Sequence, residues 1–561
     1  MLNEPQYELR HVLRDMWAHL GQMFLLERRM LGIIASYAVG IGLLFLCVPI
    51  AVQELVSTFS FAMEARMVFT LAGAVLVALL GVAYFRERQA RAVETLQQRA
   101  YARIAVAFTT IIPAIEAETA VTRQAARFME ADLLTRALVM MTADLFNVVV
   151  AGTVAVCMLM FSSPAFLAYL GILFTGFIGL LVIFGRGGFL VTLRMSQLHY
   201  GIFHWIQNIA DNAAHLRAVD GRHHLLKRTD ELLHPYLRVR QQRSDTLTGR
   251  QYKASAFWLA FGHAGLIVTA GLLVVEKQIT VGQFAGAEVL VGNLLVNMDT
   301  LARRMVAVFF MFTSLRELAG VFSLPRAQSL GDSTVPLPVD VTTGMHLTCR
   351  AVSFVLPPAA PLFEEFECEI AAGEKVVILT NTSTAKTAMA KVLAGLVRPT
   401  AGVVRYHDVN VVEVDPVSIS RYRAVILDSQ PTLIDGTVED NISLGRPGVT
   451  YQDMAWALRF VELEEEMDAL PKGIQTSVHA SGVSFTLSQI LRVLLARAIV
   501  TRPPLLIFDG TLHSMLPSTR EVILRRLCSK EEPWSVVFVS NDPTFSAYVD
   551  RQIRVESPAP R

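Results

Sequence analysis

Lys386 and Thr387 close the segment Gly373-Glu-Lys-Val-Val-Ile-Leu-Thr-Asn-Thr-Ser-Thr-Ala-Lys-Thr387, which reads as a strand, a loop and a helix running on through Ala388–Leu396. A phosphate-binding loop has this layout, in the pattern GxxxxGK[ST]. Its glycines let successive backbone N–H groups curl around phosphate oxygens, and the helix start adds favourable partial charge. Here Lys386 and Thr387 are in place, but Thr380, Ser383 and Ala385 stand at the glycine positions. Read alone, the segment fits either a weakened nucleotide site or an ordinary strand-to-helix turn.

Other reactive side chains offer less. The five cysteines, at 47, 157, 349, 368 and 528, are scattered. They form no metal-ligand cluster and no disulfide framework, which fits a reduced compartment. His199, His204, His215, His223, His224 and His234 crowd one stretch, but no ligand spacing repeats and no carboxylate or cysteine completes a site. No metal centre is expected from them.

The elements that must position these residues fall into two halves. Of 561 residues, 53% are hydrophobic and 18% charged, against about 25% charged in soluble domains, which excludes a disordered chain. Fifty Lys and Arg nearly cancel 49 Asp and Glu, so nucleic acid is not an expected partner. The apolar surplus lies in the first 325 residues, in stretches long enough to cross about 30 Å of hydrocarbon. They are Leu31–Val52, Met67–Phe85, Leu138–Phe161, Phe166–Phe184, Ala254–Val275 and Val281–Leu301. Two long polar segments between them, 86–137 and 185–253, are rich in arginine and lysine. The positive-inside rule therefore puts both segments and both termini in the cytoplasm. Residues 1–30 read as an interfacial lead-in helix rather than a cleaved signal peptide.

Past residue 325 the character changes. Residues 326–345 have turn formers and no helical stripe, as in a linker. In 346–561, short β-branched runs (Val376–Leu379, Ala424–Leu427, Leu505–Phe508, Val536–Val539) alternate with helical stretches, which predicts an α/β domain.

Further segments follow in a recognisable order: Val352-Ser-Phe354, Leu393-Ala-Gly-Leu-Val-Arg-Pro-Thr-Ala-Gly402, Asp435-Gly-Thr-Val-Glu-Asp-Asn-Ile442, Leu494-Leu-Ala-Arg-Ala498 and Leu505-Leu-Ile-Phe-Asp509. With these, the whole chain resembles an ABC transporter half: a six-helix exporter transmembrane domain followed by an α/β P-loop NTPase-like domain. Tyr37–Gln53 looks like the bacterial group related to type I secretion transporters. The resemblance implies an integral protein of the bacterial inner membrane that dimerises in lipid. It also implies that the two polar segments are helical extensions docking on nucleotide-binding domains, with tips at Thr109–Ile115 and Ile206–Ala213.

Against that family the nucleotide-contacting positions depart together. The adenine-stacking aromatic is Leu356, and the Q-loop glutamine position is Ser429, with Gln430 one place late. The signature LSGGQ is Phe485-Thr486-Leu487-Ser488-Gln489, where Thr486 keeps a hydroxyl for the γ-phosphate but Leu487 replaces a glycine. Asp509 remains for Mg²⁺, beside Thr387. Gly510 takes the place of the water-polarising glutamate and Asn541 that of the switch histidine. Base and water-positioning groups contribute about 10²–10⁴-fold each, so hydrolysis is expected near background. ATP with Mg²⁺ is expected to bind weakly, since non-glycine residues must adopt strained loop geometry.

Two ionisable groups fall within spans, Asp144 in the third and Glu288 in the sixth. Such a group faces a cavity or partner, or is solvated near an interface. Solvation is the favoured reading for Glu288, near the outer edge, while Asp144 stays open. Asn293, Asn297 and Asp299 share one face of the sixth span, suited to lining a pathway or to interhelical hydrogen bonding. Three functions compete: an exporter subunit whose partner supplies the ATP chemistry, an ATP-independent scaffold or sensor, and an active exporter with unusual residues.

Overall fold

The computed structural model describes residues 27–59, 65–115, 125–185, 187–322, 344–355, 361–414, 416–427, 431–478, 485–510, 512 and 515–555. Most of the expected lead-in helix and linker, together with Leu356, Ser429 and Gln430, lie outside the described residues. The chain divides into two compact units: Met1–Pro113 with Ala117–Leu324, and Ala114–Glu116 with Pro325–Arg561.

The first unit is helical. Among the described residues, six helices are long and apolar enough to cross a membrane: Arg28–Thr58, Ala65–Ile111, Arg127–Met160, Ala165–Asp211, Arg222–Val275 and Val281–Phe322. Each covers one of the six stretches expected from composition, the third falling one residue short at Phe161, and the fourth helix starts at Ala165 and extends well past its stretch. Several outrun the bilayer. At 1.5 Å per residue, the 47 residues of Ala65–Ile111 reach about 70 Å, roughly twice the hydrocarbon thickness. The excess is the polar sequence after Phe85, so one continuous helix carries both the second span and its extension.

The second extension is broken at its apex. Gly188–Asp211 ends at Asn212, a short helix Ala213–Ala218 follows, and Arg222–Arg243 returns. The apical helix therefore begins at the last residue of the expected tip Ile206–Ala213, most of which belongs to the ascending helix. Asn212 and Gly221 leave helical geometry and bracket the reversal.

Small residues let the spans approach. A Cβ on Gly176 would stand 2.2 Å from the Trp258 ring, and one on Gly282 would stand 2.5 Å from the Gln53 carbonyl oxygen. In lipid, where no hydrophobic force separates helix from solvent, such contact packing holds helices together. Phe166, Leu170, Leu173, Leu266, Val291 and Leu294 form part of the buried core.

The second unit is α/β. Its strands are β1 (Leu347–Val355), β2 (Pro361–Ile370), β3 (Lys375–Thr380), β4 (Ala401–Tyr406), β5 (Val409–Asn410), β6 (Arg423–Leu427), β7 (Gly436–Thr437), β8 (Ser477–Val478), β9 (Leu505–Asp509), β10 (Ser535–Ser540) and β11 (Arg551–Val555). A parallel sheet runs β11-β3-β10-β9-β6, and an antiparallel one runs β2-β1-β4-β5. The four β-branched runs seen in the sequence all fall in the parallel sheet. Every residue of β9 and β10 is buried, which explains their unbroken apolar character.

Candidate nucleotide site

Register brings the chemistry to one edge. Ser540 pairs with Leu379, Val539 with Asp509, and Leu427 with Asp509. The residues that follow β3, β9 and β10 therefore emerge together at the carboxyl ends of parallel strands, where open α/β sheets bind ligands.

After β3, the chain turns directly into the helix Ser383–Leu393. Thr382 caps it, its side chain accepting a 3.2 Å hydrogen bond from the Ala385 N–H. No residue from Thr380 to Thr387 has a positive φ. The strain expected of non-glycine residues is thus absent, because this turn does not take the left-handed geometry that favours glycine. Ser383 is exposed, whereas Thr380 and Ala385 are buried.

Lys386, 7% exposed, turns toward β9 and lies 3.3 Å from Asp509 Oδ1. Thr387 Oγ1 donates a 2.8 Å hydrogen bond to Asp509 Oδ2. Asp509 is fully buried, and its Oδ1 has the lysine charge nearby but no hydrogen bond. A buried carboxylate oxygen lacking a hydrogen bond, beside a threonine hydroxyl, is a donor set suited to Mg²⁺. Gly510 follows with φ +60°, and a Cβ there would stand 2.7 Å from Lys386 Nζ and 3.2 Å from its Cδ. The lysine thus packs over the position from which a glutamate side chain would have to start. Asn541 lies just beyond β10 and is exposed.

At the signature segment, Phe485 is buried and Thr486 caps the helix Leu487–Ile499. Thr486 and Gln489 form a capping box. The Gln489 N–H donates to Thr486 Oγ1 at 3.3 Å, and the Thr486 N–H donates to Gln489 Oε1 at 2.8 Å. Thr486 Oγ1 also donates to Gln489 Oε1 at 3.1 Å. Gln489 Nε2 donates to Glu466 at 2.7 Å, and Arg492 pairs with the same carboxylate at 2.6 Å. The hydroxyl expected to serve a phosphate therefore serves the helix end. Leu487 is 47% exposed, and Ser488 follows it in the first turn. Glu466 gave no sequence signal within its acidic run.

The segments that match the family bond to one another. Arg497 donates from Nε to the Asn441 carbonyl and from Nη2 to Asn441 Oδ1, each at 2.6 Å. Burial, and the nearby charge of Arg446, lower the Arg497 pKa to about 10. Asn441 Nδ2 in turn donates to the Ile434 and Thr437 carbonyls, both at 2.9 Å.

Residues 363–513 match the family model described as ABC transporter. A solved structure titled as a bacterial Atm1-family ABC exporter with ATP bound superposes with a TM-score of 0.83, covering 95% of this chain and 96% of that one at 15% identity. Residues 363–513 thus carry an ABC transporter domain, and the chain has the fold of that exporter. Among curated relatives, a fatty acid ABC transporter ATP-binding/permease protein of Mycobacterium bovis is 28% identical over 286 residues, 50% of this chain and 44% of its own length. The alpha-hemolysin translocation ATP-binding protein of Escherichia coli is 24% identical over 285 residues, 51% of this chain and 40% of its own. The alignments thus span less than half the length of these relatives.

In the first unit, Asp144 and Glu288 have partners that the sequence did not reveal. Asp144 Oδ2 accepts from Arg304 at 2.5 Å. Glu288 Oε1 lies 2.6 Å from His263 Nδ1 on the fifth span, so it is paired across helices rather than merely solvated. A histidine and a glutamate, each alone in an apolar run, were the available signal. Asn297 donates to the Asn293 carbonyl at 2.9 Å, and Asp299 pairs with Arg303 at 2.8 Å. Asn293 and Asn297 line a cavity of about 50 Å³ with Asn147 and Arg86.

Proposed function

We propose that this chain is an exporter subunit whose own ATP site has lost hydrolysis and whose partner, a competent ABC half-transporter, supplies the catalytic groups. The observation that carries the reading is Lys386 packed against Asp509 over Gly510. A glycine supplies no base, and the lysine that should reach phosphate oxygens neutralises the metal-binding carboxylate instead. Asn541 does not exchange a proton near neutral pH, so neither family position retains acid–base chemistry.

Thr387 and Asp509 would hold Mg²⁺, which when bound would neutralise phosphate charge. Lys386 would first have to leave Asp509, and that competition adds to the missing adenine stack at Leu356 in making nucleotide binding weak. On this reading, residues 1–30 are the lead-in, 31–325 the transmembrane domain with two extensions, 326–345 the linker and 346–561 the degenerate nucleotide-binding domain. Both termini face the cytoplasm of a bacterial inner membrane. The relatives are named for fatty acids, multidrug efflux and alpha-hemolysin among others, a spread that supports export without selecting a substrate.

The test is copurification from native membranes followed by ATPase assay. A heterodimer whose turnover requires the partner's catalytic glutamate, and is indifferent to Asp509→Asn, is the expected result. Recovery of homodimers alone would favour an ATP-independent scaffold. Accessibility reporters at residues 110 and 220 check the topology, and an external reading at either would overturn it.

A further inference from the structure

Two cysteines far apart in sequence meet in the antiparallel sheet. The register Leu347↔Ile370, Thr348↔Glu369, Cys349↔Cys368 sets them directly opposite on β1 and β2. Opposed residues of antiparallel strands project to one face with Cα atoms about 4.5–5.5 Å apart. A disulfide accepts about 4.4–6.8 Å. Both thiols are free.

Their exposures differ. Cys349 is 2% exposed, within the core that includes Leu347, Val352 and Phe363. Cys368 is partly exposed on β2, an edge strand. The neighbouring Cys368 thiol and burial hold the Cys349 thiol well above its ordinary pKa, and Cys368, the one within reach of solvent, is the first nucleophile. A buried cysteine by itself is usually a small core hydrophobe. A second thiol directly opposite it in the sheet, within reach of solvent, supplies the other half of a redox couple.

We propose that Cys349 and Cys368 are a modification site for low-molecular-weight disulfides, which oxidise the pair to a cross-strand disulfide. In the first step the Cys368 thiolate attacks a sulfur of the reagent RS–SR, forming Cys368–S–S–R and releasing RS⁻. Cys349, on losing its proton, then attacks the Cys368 sulfur of that mixed disulfide and releases the second RS⁻. Two protein thiols are oxidised and one reagent disulfide is reduced to two thiols. The new bond staples the hairpin whose connecting segment, 356–360, contains Leu356.

The experiment uses the purified full-length chain in lipid nanodiscs and oxidised glutathione as the reagent. After denaturation, alkylation and digestion, mass spectrometry should find the Cys349 and Cys368 peptides joined, with the loss of two hydrogens. In Cys349→Ala, where no second thiol resolves the intermediate, a glutathione adduct should instead persist on Cys368. Oxidised wild type should also melt about 5–10 °C higher than reduced, and Cys368→Ser should show no such shift. Wild type that is fully alkylated at both cysteines after treatment, or that accumulates the Cys368 adduct as the variant does, overturns the proposal. Because the wild-type measurement stands alone, poor folding of either variant leaves the test intact.

Discussion

Lys386 and Gly510 share one space: a Cβ built on Gly510 would meet the lysine Nζ at 2.7 Å. Restoring the family's glutamate would therefore displace the lysine from Asp509 and place a side chain at φ +60°. We expect purified protein to show no ATP turnover above Lys386→Ala, and Gly510→Glu not to rescue it. Gly510→Glu should also cost about 1–2 kcal/mol of stability from the left-handed backbone alone. Phosphate release and thermal unfolding measure the two effects. A Mg²⁺-dependent rate abolished by Lys386→Ala would show the site to be active.

The signature helix tests whether its first turn is structural. Thr486→Ala should cost about 1 kcal/mol through the lost cap, and Thr486→Ser should cost little. In a heterodimer, Leu487→Gly with Ser488→Gly should raise ATPase, because backbone N–H groups could then approach phosphate. Denaturant titration and ATPase assay distinguish stability from rate. A rate unchanged by the double substitution would exclude this face from catalysis.

Asp144 and Arg304 join the third span to the sixth helix at 2.5 Å, with Asp144 mostly buried and Arg304 about half exposed. Removing one partner should destabilise by about 1–2 kcal/mol, between the values for exposed and buried pairs. Asp144→Asn should lower the melting temperature of detergent-purified protein, and Asp144→Arg with Arg304→Asp should recover part of the loss. No recovery in the double variant would mean that the pair acts through packing rather than charge.

Two capping boxes are expected to contribute to the acid response of the second unit. Asp440 is held below the usual carboxylate range by the Thr437 N–H and then its hydroxyl, and Asp453 by the Thr450 hydroxyl and then its N–H. A depressed folded pKa gives stability that is full above the unfolded value, near 3.9, and lost as pH falls through the folded value. Unfolding followed below about pH 4 should therefore show a shallower acid loss in Asp440→Asn than in wild type. Identical slopes would remove Asp440 from the acid response.

The sequence by itself determined the six spans, the α/β character of residues beyond 346 and the absence of glycine, glutamate and histidine at Ala385, Gly510 and Asn541. Apolar length, β-branched runs and residue type are local properties, readable without coordinates. Framework segments such as Asp435–Ile442 and Leu494–Ala498 were legible too, and the fold joins them, since Arg497 bonds Asn441. Tertiary structure alone decided where side chains spend their polar groups. Lys386 lies against Asp509, Gln489 reaches Glu466, and Glu288 faces His263. It also set Cys349 opposite Cys368, which scattered spacing had concealed. These pairings span up to 123 residues of sequence, and only strand register and helix packing, fixed by burial across the whole unit, bring such partners within hydrogen-bond reach.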